Sequence, residues 1–118
     1  MAYNMSGKEC SDGMVIIETS IFTRQVQALL NDDDYRRLQT ILVIRPDAGD
    51  LIPGGGGLRK IRWGAQGRGK RGGVRVIYYW AVQQDRILML LMYAKNEQDS
   101  LTTDQLMVLR RIVEEEYL

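Results

Sequence analysis

The sequence predicts an α+β fold in which one strand, two helices, three strands and a final helix follow one another, with the helices packed on one face of an antiparallel sheet. Two observations lead to this prediction. Apolar side chains recur every three to four residues in three segments, which is typical of helices. Elsewhere β-branched and aromatic side chains dominate short segments bounded by glycine or polar turns, which is typical of strands. The 118 residues are expected to form a single domain.

The amino-terminal half is predicted to contribute the first strand and two helices. Residues 14–22 are rich in β-branched side chains and favour a strand. Apolar residues then recur at helical spacing as far as Asn31, with Thr23 as the predicted cap of this short helix. Three aspartates at residues 32–34 suit the positive end of a second helix dipole, and Pro46 ends that helix.

The carboxyl-terminal half is predicted to form a three-stranded antiparallel meander and the last helix. The strands are residues 58–63, 74–82 and 86–94. The third of these strands is apolar throughout and is expected to be buried on both sides. Thr102, followed three positions later by Gln105, forms a capping box, which predicts a helix that begins near Thr103.

Composition excludes several classes of protein. With 45% hydrophobic and 26% charged residues, the chain is predicted to be an ordinary globular domain. No apolar run is long enough to span a membrane, and the polar residues 1–13 lack the apolar centre of a secretory signal. We therefore expect a cytoplasmic protein without a membrane partner, in which residues 1–13 are flexible.

Several kinds of catalytic site are disfavoured as well. The chain has no histidine and one cysteine, Cys10, which argues against imidazole catalysis and thiolate metal sites. The acidic runs at residues 32–34 and 114–116 direct their carboxylates apart, so no metal site is predicted. Residues 64–70 match the start of a phosphate-binding P-loop, but Arg71 stands where serine or threonine is required. No cofactor is predicted.

A concentration of positive charge is the most informative feature of the sequence. Seven of the sixteen basic residues lie between Arg59 and Arg75 without an intervening carboxylate, although the formal net charge of the chain is only +1. Such a cluster is typical of a surface that binds the phosphates of a nucleic acid. The alternative is a solvated sheet face, but such faces usually carry both signs of charge.

Strand periodicity places part of this cluster on one surface. Lys60, Arg62 and Arg75 are predicted to share a sheet face that the helices leave uncovered, where they can contact phosphate together. Tyr79 has the same parity as Arg75 and is the aromatic residue predicted to stack on a base.

The rest of the cluster lies in residues 64–73, where five of the ten residues are glycine and no regular element is expected. Its cations are Arg68, Lys70 and Arg71. We expect this basic loop to bind nucleic-acid backbone.

RNA cleavage is chemically possible at such a surface without histidine. A lysine held in its neutral form by neighbouring cations would take the proton of a 2′-hydroxyl, while arginines stabilise the charge that gathers on phosphorus. Lys60, between Arg59 and Arg62, is placed for that role. The residues permit this reaction but do not require it, so a non-catalytic RNA- or DNA-binding module is the alternative.

Three ordered blocks, residues 57–63, 70–79 and 91–97, are followed by Leu101 and Thr102 at the start of the last helix. In their order and spacing these blocks resemble the RelE/HigB superfamily of toxins from bacterial type II toxin–antitoxin systems, and the HigB-type branch in particular. The first half of the chain agrees in the order of its elements. The resemblance implies a RelE-like microbial ribonuclease fold.

The resemblance also implies an activity and a set of catalytic residues. Proteins of this superfamily enter the ribosomal A site and cut the messenger RNA by attack of a 2′-hydroxyl on phosphorus, without metal. Lys60 and Arg62 match the paired basic residues of the family, and Arg75 matches an arginine that stabilises the transition state. Lys95 falls where the family carries a further basic residue after the last strand.

The chain departs from the family pattern near its end. Some members place a catalytic or stacking tyrosine in the stretch that corresponds to residues 100–103, and this sequence has none there. Tyr93 or Tyr117 is expected to substitute for it; otherwise the site relies on its cations and on ribosomal RNA.

Finally, the resemblance implies partners. These are a cognate helix-turn-helix antitoxin, the ribosome with its messenger RNA, and operator DNA reached only through the antitoxin. The residues predicted to bind RNA are Arg59, Arg68, Lys70, Arg71, Tyr79 and Tyr93. A toxin that keeps the fold but has lost its activity is a further alternative.

Overall fold

The computed structural model describes residues 5–9, 14–64, 73–98 and 100–117. The elements are β1 (Met5–Glu9), β2 (Val15–Thr19), α1 (Ser20–Leu29), α2 (Asp32–Ile44), β3 (Asp50–Leu51), β4 (Leu58–Trp63), β5 (Val74–Ala81), β6 (Arg86–Ala94) and α3 (Thr103–Tyr117). The predicted α+β class and element order are confirmed, and the structure adds the strands β1 and β3. Of the segment expected to be flexible, Met5–Glu9 instead pairs with β2 as an antiparallel edge strand.

The helix boundaries follow from their caps. Helix α1 begins earlier than predicted, because the hydroxyl of Thr19 accepts a hydrogen bond from the Phe22 amide at 3.1 Å. Thr23, predicted to be that cap, instead lies inside the helix. Helix α2 is capped by the Asn31 side chain, and it ends shortly before Pro46, as the sequence predicts.

The capping box of α3 forms as predicted. The Thr102 amide donates to the Gln105 side-chain oxygen at 3.0 Å, and the Gln105 amide donates to the Thr102 hydroxyl at 3.1 Å. The helix therefore begins at Thr103, where the sequence places it.

The strands form one sheet in the order β1-β2-β6-β5-β4-β3. The predicted antiparallel meander is β4, β5 and β6. Strand β2, however, runs parallel to β6, so the sheet is mixed. Side-chain periodicity identifies the two faces of a strand but not its direction beside a strand that is distant in sequence, which is why this pairing is absent from the prediction.

Helices cover both faces of the sheet, whereas the sequence predicts them on one. Helices α1 and α2 pack on one face through Phe22, Val26, Leu38 and Leu42. Helix α3 packs on the opposite face through Leu109, Ile112 and Val113. The physical reason is the apolar strand β6, whose side chains are buried on both sides and therefore need a layer on each. We call these the α1/α2 face and the α3 face.

Strand β6 contains a β-bulge at Leu90. Met89 pairs with Tyr78 and Leu91 pairs with Ile77, so Leu90 is an extra residue opposite the strand β5. Before the bulge, Ile87 and Met89 belong to the α1/α2 core, whereas after it Leu91 belongs to the α3 core. The bulge therefore exchanges the faces to which the end of β6 directs its side chains.

Candidate active site

Arg62, Arg75 and Tyr93 form a row across the end of the meander. Arg62 on β4 is the direct cross-strand partner of Arg75 on β5, and Arg75 is the direct partner of Tyr93 on β6. Directly opposed side chains on one sheet face have their Cβ atoms about 4.5–5.5 Å apart. All three residues belong to the α3 face, so Arg62 and Arg75 converge as predicted and a tyrosine joins them. The prediction that the helices leave this face uncovered is wrong, because α3 packs on it.

Lys60 lies on the same face, two residues before Arg62 on β4. Its cross-strand partner on β5 is Ile77, and on the short edge strand β3 its partner is Asp50. Lys60 is half-buried, whereas Arg62 is exposed. Asp50 is a neighbour of Lys60 that the sequence did not single out, because a strand of two residues shows no periodicity.

Arg75 is buried, with only 7% of its surface exposed. It has no hydrogen bond or ion pair with another residue in the described ranges. A buried cation without a counter-ion is unfavourable, because the guanidinium loses its hydration without gaining an acceptor. An anion bound beside Arg75 would supply that acceptor.

Lys95 lies at the same end of the sheet. It directly follows β6, it is exposed, and its backbone amide donates to the carbonyl of Gly73 at 3.3 Å, immediately before β5 begins. Lys60, Arg62, Arg75 and Lys95 are therefore four cations around the same end of the meander. Lys60, Arg62 and Arg75 lie on strands of the sheet, whereas Lys95 lies in a turn.

Tyr93 completes the row from the β6 side. Its surface is 5% exposed, and its hydroxyl is buried without a hydrogen-bond partner in the part of the chain that the structure describes. Burial raises the pKa of this hydroxyl above its ordinary value, while the nearby charge of Arg75 acts in the opposite direction. The phenol is therefore neutral at neutral pH and can donate a hydrogen bond.

Other residues predicted to bind RNA lie elsewhere. Arg59 points to the α1/α2 face, where its guanidinium donates to the carbonyl of Gly49 at 2.8 Å and to that of Asp47 at 3.3 Å. Tyr79 is half-buried and packs with the α3 core, about 13 Å along β5 from Arg75 at strand spacing. Its ring lies over Gly57, where an added Cβ would come within 2.9 Å of it. Their roles in RNA binding stay predictions.

The predicted basic loop falls outside the described residues. This applies to Arg68, Lys70 and Arg71. Tyr117 is the final residue of α3.

No helix in the described ranges is both long and apolar enough to cross a membrane.

A comparison with known protein families identifies the chain. The model of the family described as "RelE toxin of RelE / RelB toxin-antitoxin system" matches residues 14–117, which include every element except β1. The match is to the family as a whole, so the HigB-type branch stays a prediction. Membership of a toxin–antitoxin system implies an antitoxin as partner. With its α+β fold and the basic side chains at one end of its meander, the chain belongs to the RelE toxin family of toxin–antitoxin systems.

Proposed function

We propose that this RelE-family toxin is a metal-independent endoribonuclease that cleaves messenger RNA in the ribosomal A site. One observation carries the proposal: Arg75 is a buried cation without a partner among the described residues, directly opposite Arg62 on the same sheet face. A phosphate between these two guanidiniums would receive charge-assisted hydrogen bonds from both, and arginine suits this role because its donors form a planar fork.

The reaction assigns a separate task to each cation. Lys60, acting as the base through its neutral amine, takes the proton of the 2′-hydroxyl and becomes an ammonium, and the 2′-oxygen attacks the adjacent phosphorus. Arg62, Arg75 and Lys95 stabilise the additional negative charge on the phosphoryl oxygens. The bond between phosphorus and the 5′-oxygen then breaks. The products are a 2′,3′-cyclic phosphate and, once the 5′-oxygen has taken a proton from water, a free 5′-hydroxyl.

Partners follow from the same proposal. Three of the four cations, Lys60, Arg62 and Lys95, are half-buried or exposed at the same end of the meander, where a single strand of messenger would contact them, and the surrounding ribosome would supply further RNA for basic residues to contact. Arg68, Lys70 and Arg71 are proposed to bind that RNA. A helix-turn-helix antitoxin would neutralise the toxin in the cytoplasm and connect it to operator DNA.

The test is cleavage in a translating extract. Purified toxin is added with a reporter messenger, and cut sites are mapped by primer extension. The wild type should cut within the translated frame, and the combined Lys60→Ala and Arg75→Ala variant should lose cleavage by about 10³-fold, because a base and a charge-stabilising donor are both removed. That variant should still bind the cognate antitoxin.

Arg86→Ala is the matched control, since Arg86 is an exposed arginine at the opposite end of β6, and it should cut like the wild type. Absence of wild-type cuts would refute the enzymatic proposal. In that event, retained binding to RNA would indicate a non-catalytic binding module, and loss of both properties would indicate a decayed toxin.

A further inference from the structure

A cavity lies between helix α2 and the end of strand β4, on the α1/α2 face of the sheet. Its volume is about 410 Å³, which is within the range of small-ligand sites. The lining side chains are all exposed except that of a half-buried tryptophan: Asp33, Arg36, Arg37, Thr40, Ile41 and Trp63. A ligand in solution can therefore reach every side of this cavity.

Trp63 presents a fixed aromatic ring to the cavity. Part of its side chain packs against the α1/α2 core, and its indole nitrogen donates to the carbonyl of Asp34 at 3.0 Å. The ring is only half-buried, and the part outside the core lines the cavity. A ring that is already held in one orientation loses little conformational entropy when a flat group stacks on it, which suits Trp63 to bind a base.

Arg36 brings positive charge to the same cavity. Arg37 is ion-paired with the buried carboxylate of Asp34, whereas the Arg36 side chain forms no ion pair or hydrogen bond within the described residues. Proteins hold unpaired nucleotides with this combination, because the base stacks on the ring and the cation contacts the phosphate. Asp33, one helical turn before Arg36, would repel a phosphate but can accept hydrogen bonds from the amino groups of a base.

The sheet edge at β4 connects this cavity to the candidate active site. Arg62 and Trp63 are consecutive residues of β4, so their side chains lie on opposite faces of the sheet. Strand β3 pairs with β4 only at Arg59 and Lys60, so the described sheet ends at β4 beside Arg62 and Trp63. A single strand of RNA that contacts Arg62 on the α3 face can therefore pass around this edge to Trp63.

We propose that Trp63 and Arg36 form a second RNA-binding site, in which an unpaired base stacks on the indole ring and its phosphate contacts the Arg36 guanidinium. This inference rests on the proposed function and extends it from the scissile phosphate to a nucleotide on the opposite face of the sheet. Messenger and ribosomal RNA offer the same chemistry to this site. Trp63 and Arg36 bind and position the RNA and take no part in breaking its backbone.

The fluorescence of Trp63 tests whether a base stacks on it, because the chain has only two tryptophans. In the Trp80→Phe variant Trp63 is the remaining one, and the fold should tolerate this change because the Trp80 indole nitrogen is buried without a partner among the described residues. A single-stranded oligodeoxynucleotide, which has no 2′-hydroxyl to react, should quench the fluorescence in a saturable manner. An abasic oligonucleotide of the same length should not quench it.

Two results of this titration would overturn the proposal. One is an equal change of fluorescence with both oligonucleotides, which would show that the phosphates alone cause it. The other is the absence of any change with either of them.

Two variants measure the separate contributions through the anisotropy of a labelled oligodeoxynucleotide. Trp63→Leu keeps an apolar side chain and should weaken binding by about 10-fold, the effect of losing one stacked base. Arg36→Ala should reduce the slope of log affinity against log salt concentration by about 0.7, the value for one phosphate contact with a single strand. Because Arg36 is exposed, this second variant decides the question even if Trp63→Leu does not fold.

Arg24→Ala is the matched control. Arg24 is an exposed arginine of α1 that does not line the cavity, so its removal should leave the affinity and the salt slope unchanged. Equal effects of Arg24→Ala and Arg36→Ala would overturn the assignment of Arg36.

Ribosomes distinguish the two sources of the nucleotide. If it belongs to ribosomal RNA, Arg36→Ala should weaken cosedimentation with vacant ribosomes. If it belongs to the messenger, the variant should bind less tightly only to ribosomes programmed with a messenger that carries 2′-deoxy sugars in the A-site codon. Unchanged binding to both would overturn the proposal.

These measurements do not depend on cleavage, so failure of this inference differs from failure of the proposed function. A wild type that does not cut RNA, together with quenching of Trp63 by the oligodeoxynucleotide, would refute the enzymatic proposal and support the second site. A wild type that cuts RNA, without quenching of Trp63, would refute the second site alone.

Discussion

Tyr78 and Tyr93 lie on opposite faces of one sheet, both are buried, and their hydroxyls have different surroundings. On the α1/α2 face, the Tyr78 hydroxyl holds the loop that follows α2 through Pro46 and Gly49. On the α3 face, the Tyr93 hydroxyl lies beside Arg75 without a partner in the described chain. The Tyr78 hydroxyl therefore stabilises the fold, whereas the Tyr93 hydroxyl makes no such contribution among the described residues.

The arginines repeat this contrast. Arg59 on the α1/α2 face donates to two backbone carbonyls and so connects β4 to the same loop. Arg75 on the α3 face is more deeply buried and donates to no acceptor in the described ranges. Proteins tolerate such unfavourable groups at functional sites, because the ligand completes the interactions that the free protein lacks.

The largest effect that would test this contrast is expected from Arg75→Met, which keeps the apolar stem and removes the charge. Cleavage should fall by about 10³-fold, because the phosphate loses its buried guanidinium. The free energy of unfolding should be unchanged or about 1 kcal/mol higher, since an unpaired buried charge is replaced by an apolar group. Urea denaturation measures the free energy of unfolding, and single-turnover assays measure cleavage. A strongly destabilised variant would show that the Arg75 guanidinium stabilises the free protein.

An intermediate effect is expected from Tyr78→Phe on the other face. The Gly49 amide and the Pro46 carbonyl lose their shared partner, which should lower the free energy of unfolding by about 2 kcal/mol. Urea denaturation at neutral pH gives this value. A variant as stable as the wild type would show that the α1/α2 face does not depend on these bonds.

The same variant has a signature in alkali. Burial raises the pKa of the Tyr78 hydroxyl, so the folded chain holds this proton more tightly than the unfolded chain does. The contribution of this proton to stability is therefore fully present below the pKa of the unfolded chain, about 10. It is lost as pH rises through the pKa of the folded chain. Tyr78→Phe should show a smaller alkaline loss of stability than the wild type.

The smallest effect is expected from Thr102→Ala at the start of α3. This substitution removes one half of an exposed capping box and should lower the free energy of unfolding by about 1 kcal/mol. Cleavage by the folded variant should be unchanged, because the cap lies on the helix and not in the row of β-strand residues. A large loss of cleavage would show that the α3 face depends on the position of this helix as well as on its own side chains.

Much of the fold could be predicted from local patterns. The capping box of α3, the aspartates that open α2 and the alternation along β4 all act over a few residues, so the sequence shows them directly. The apolar strand β6 also indicated burial on both sides, which already required a layer of helices on each face. Helices on one face only, as the sequence predicts, would leave the other apolar side of β6 in contact with water.

The parts that could not be predicted depend on pairing between distant segments. Strand β1 and its contact with β2, the parallel alignment of β2 with β6 and the neighbourhood of Asp50 all depend on which strands become adjacent. Tyr93 was predicted to bind RNA only through a family resemblance. Its position beside Arg75 results from the bulge at Leu90. No local pattern in β6 predicts this bulge, because the residues around Leu90 are all apolar.

The sequence by itself therefore determined that Lys60 and Arg62 share one face of their strand and that Arg75 can join them, because strand periodicity is a local property of the backbone. Only the tertiary structure decided that Arg62 lies directly opposite Arg75, that Arg75 is buried, and that Tyr93 completes the row. Register, burial and bulges are set when distant strands pair and the apolar faces of β6 are covered from both sides. The physical reason is that these choices minimise the free energy of the whole sheet and not that of any one segment.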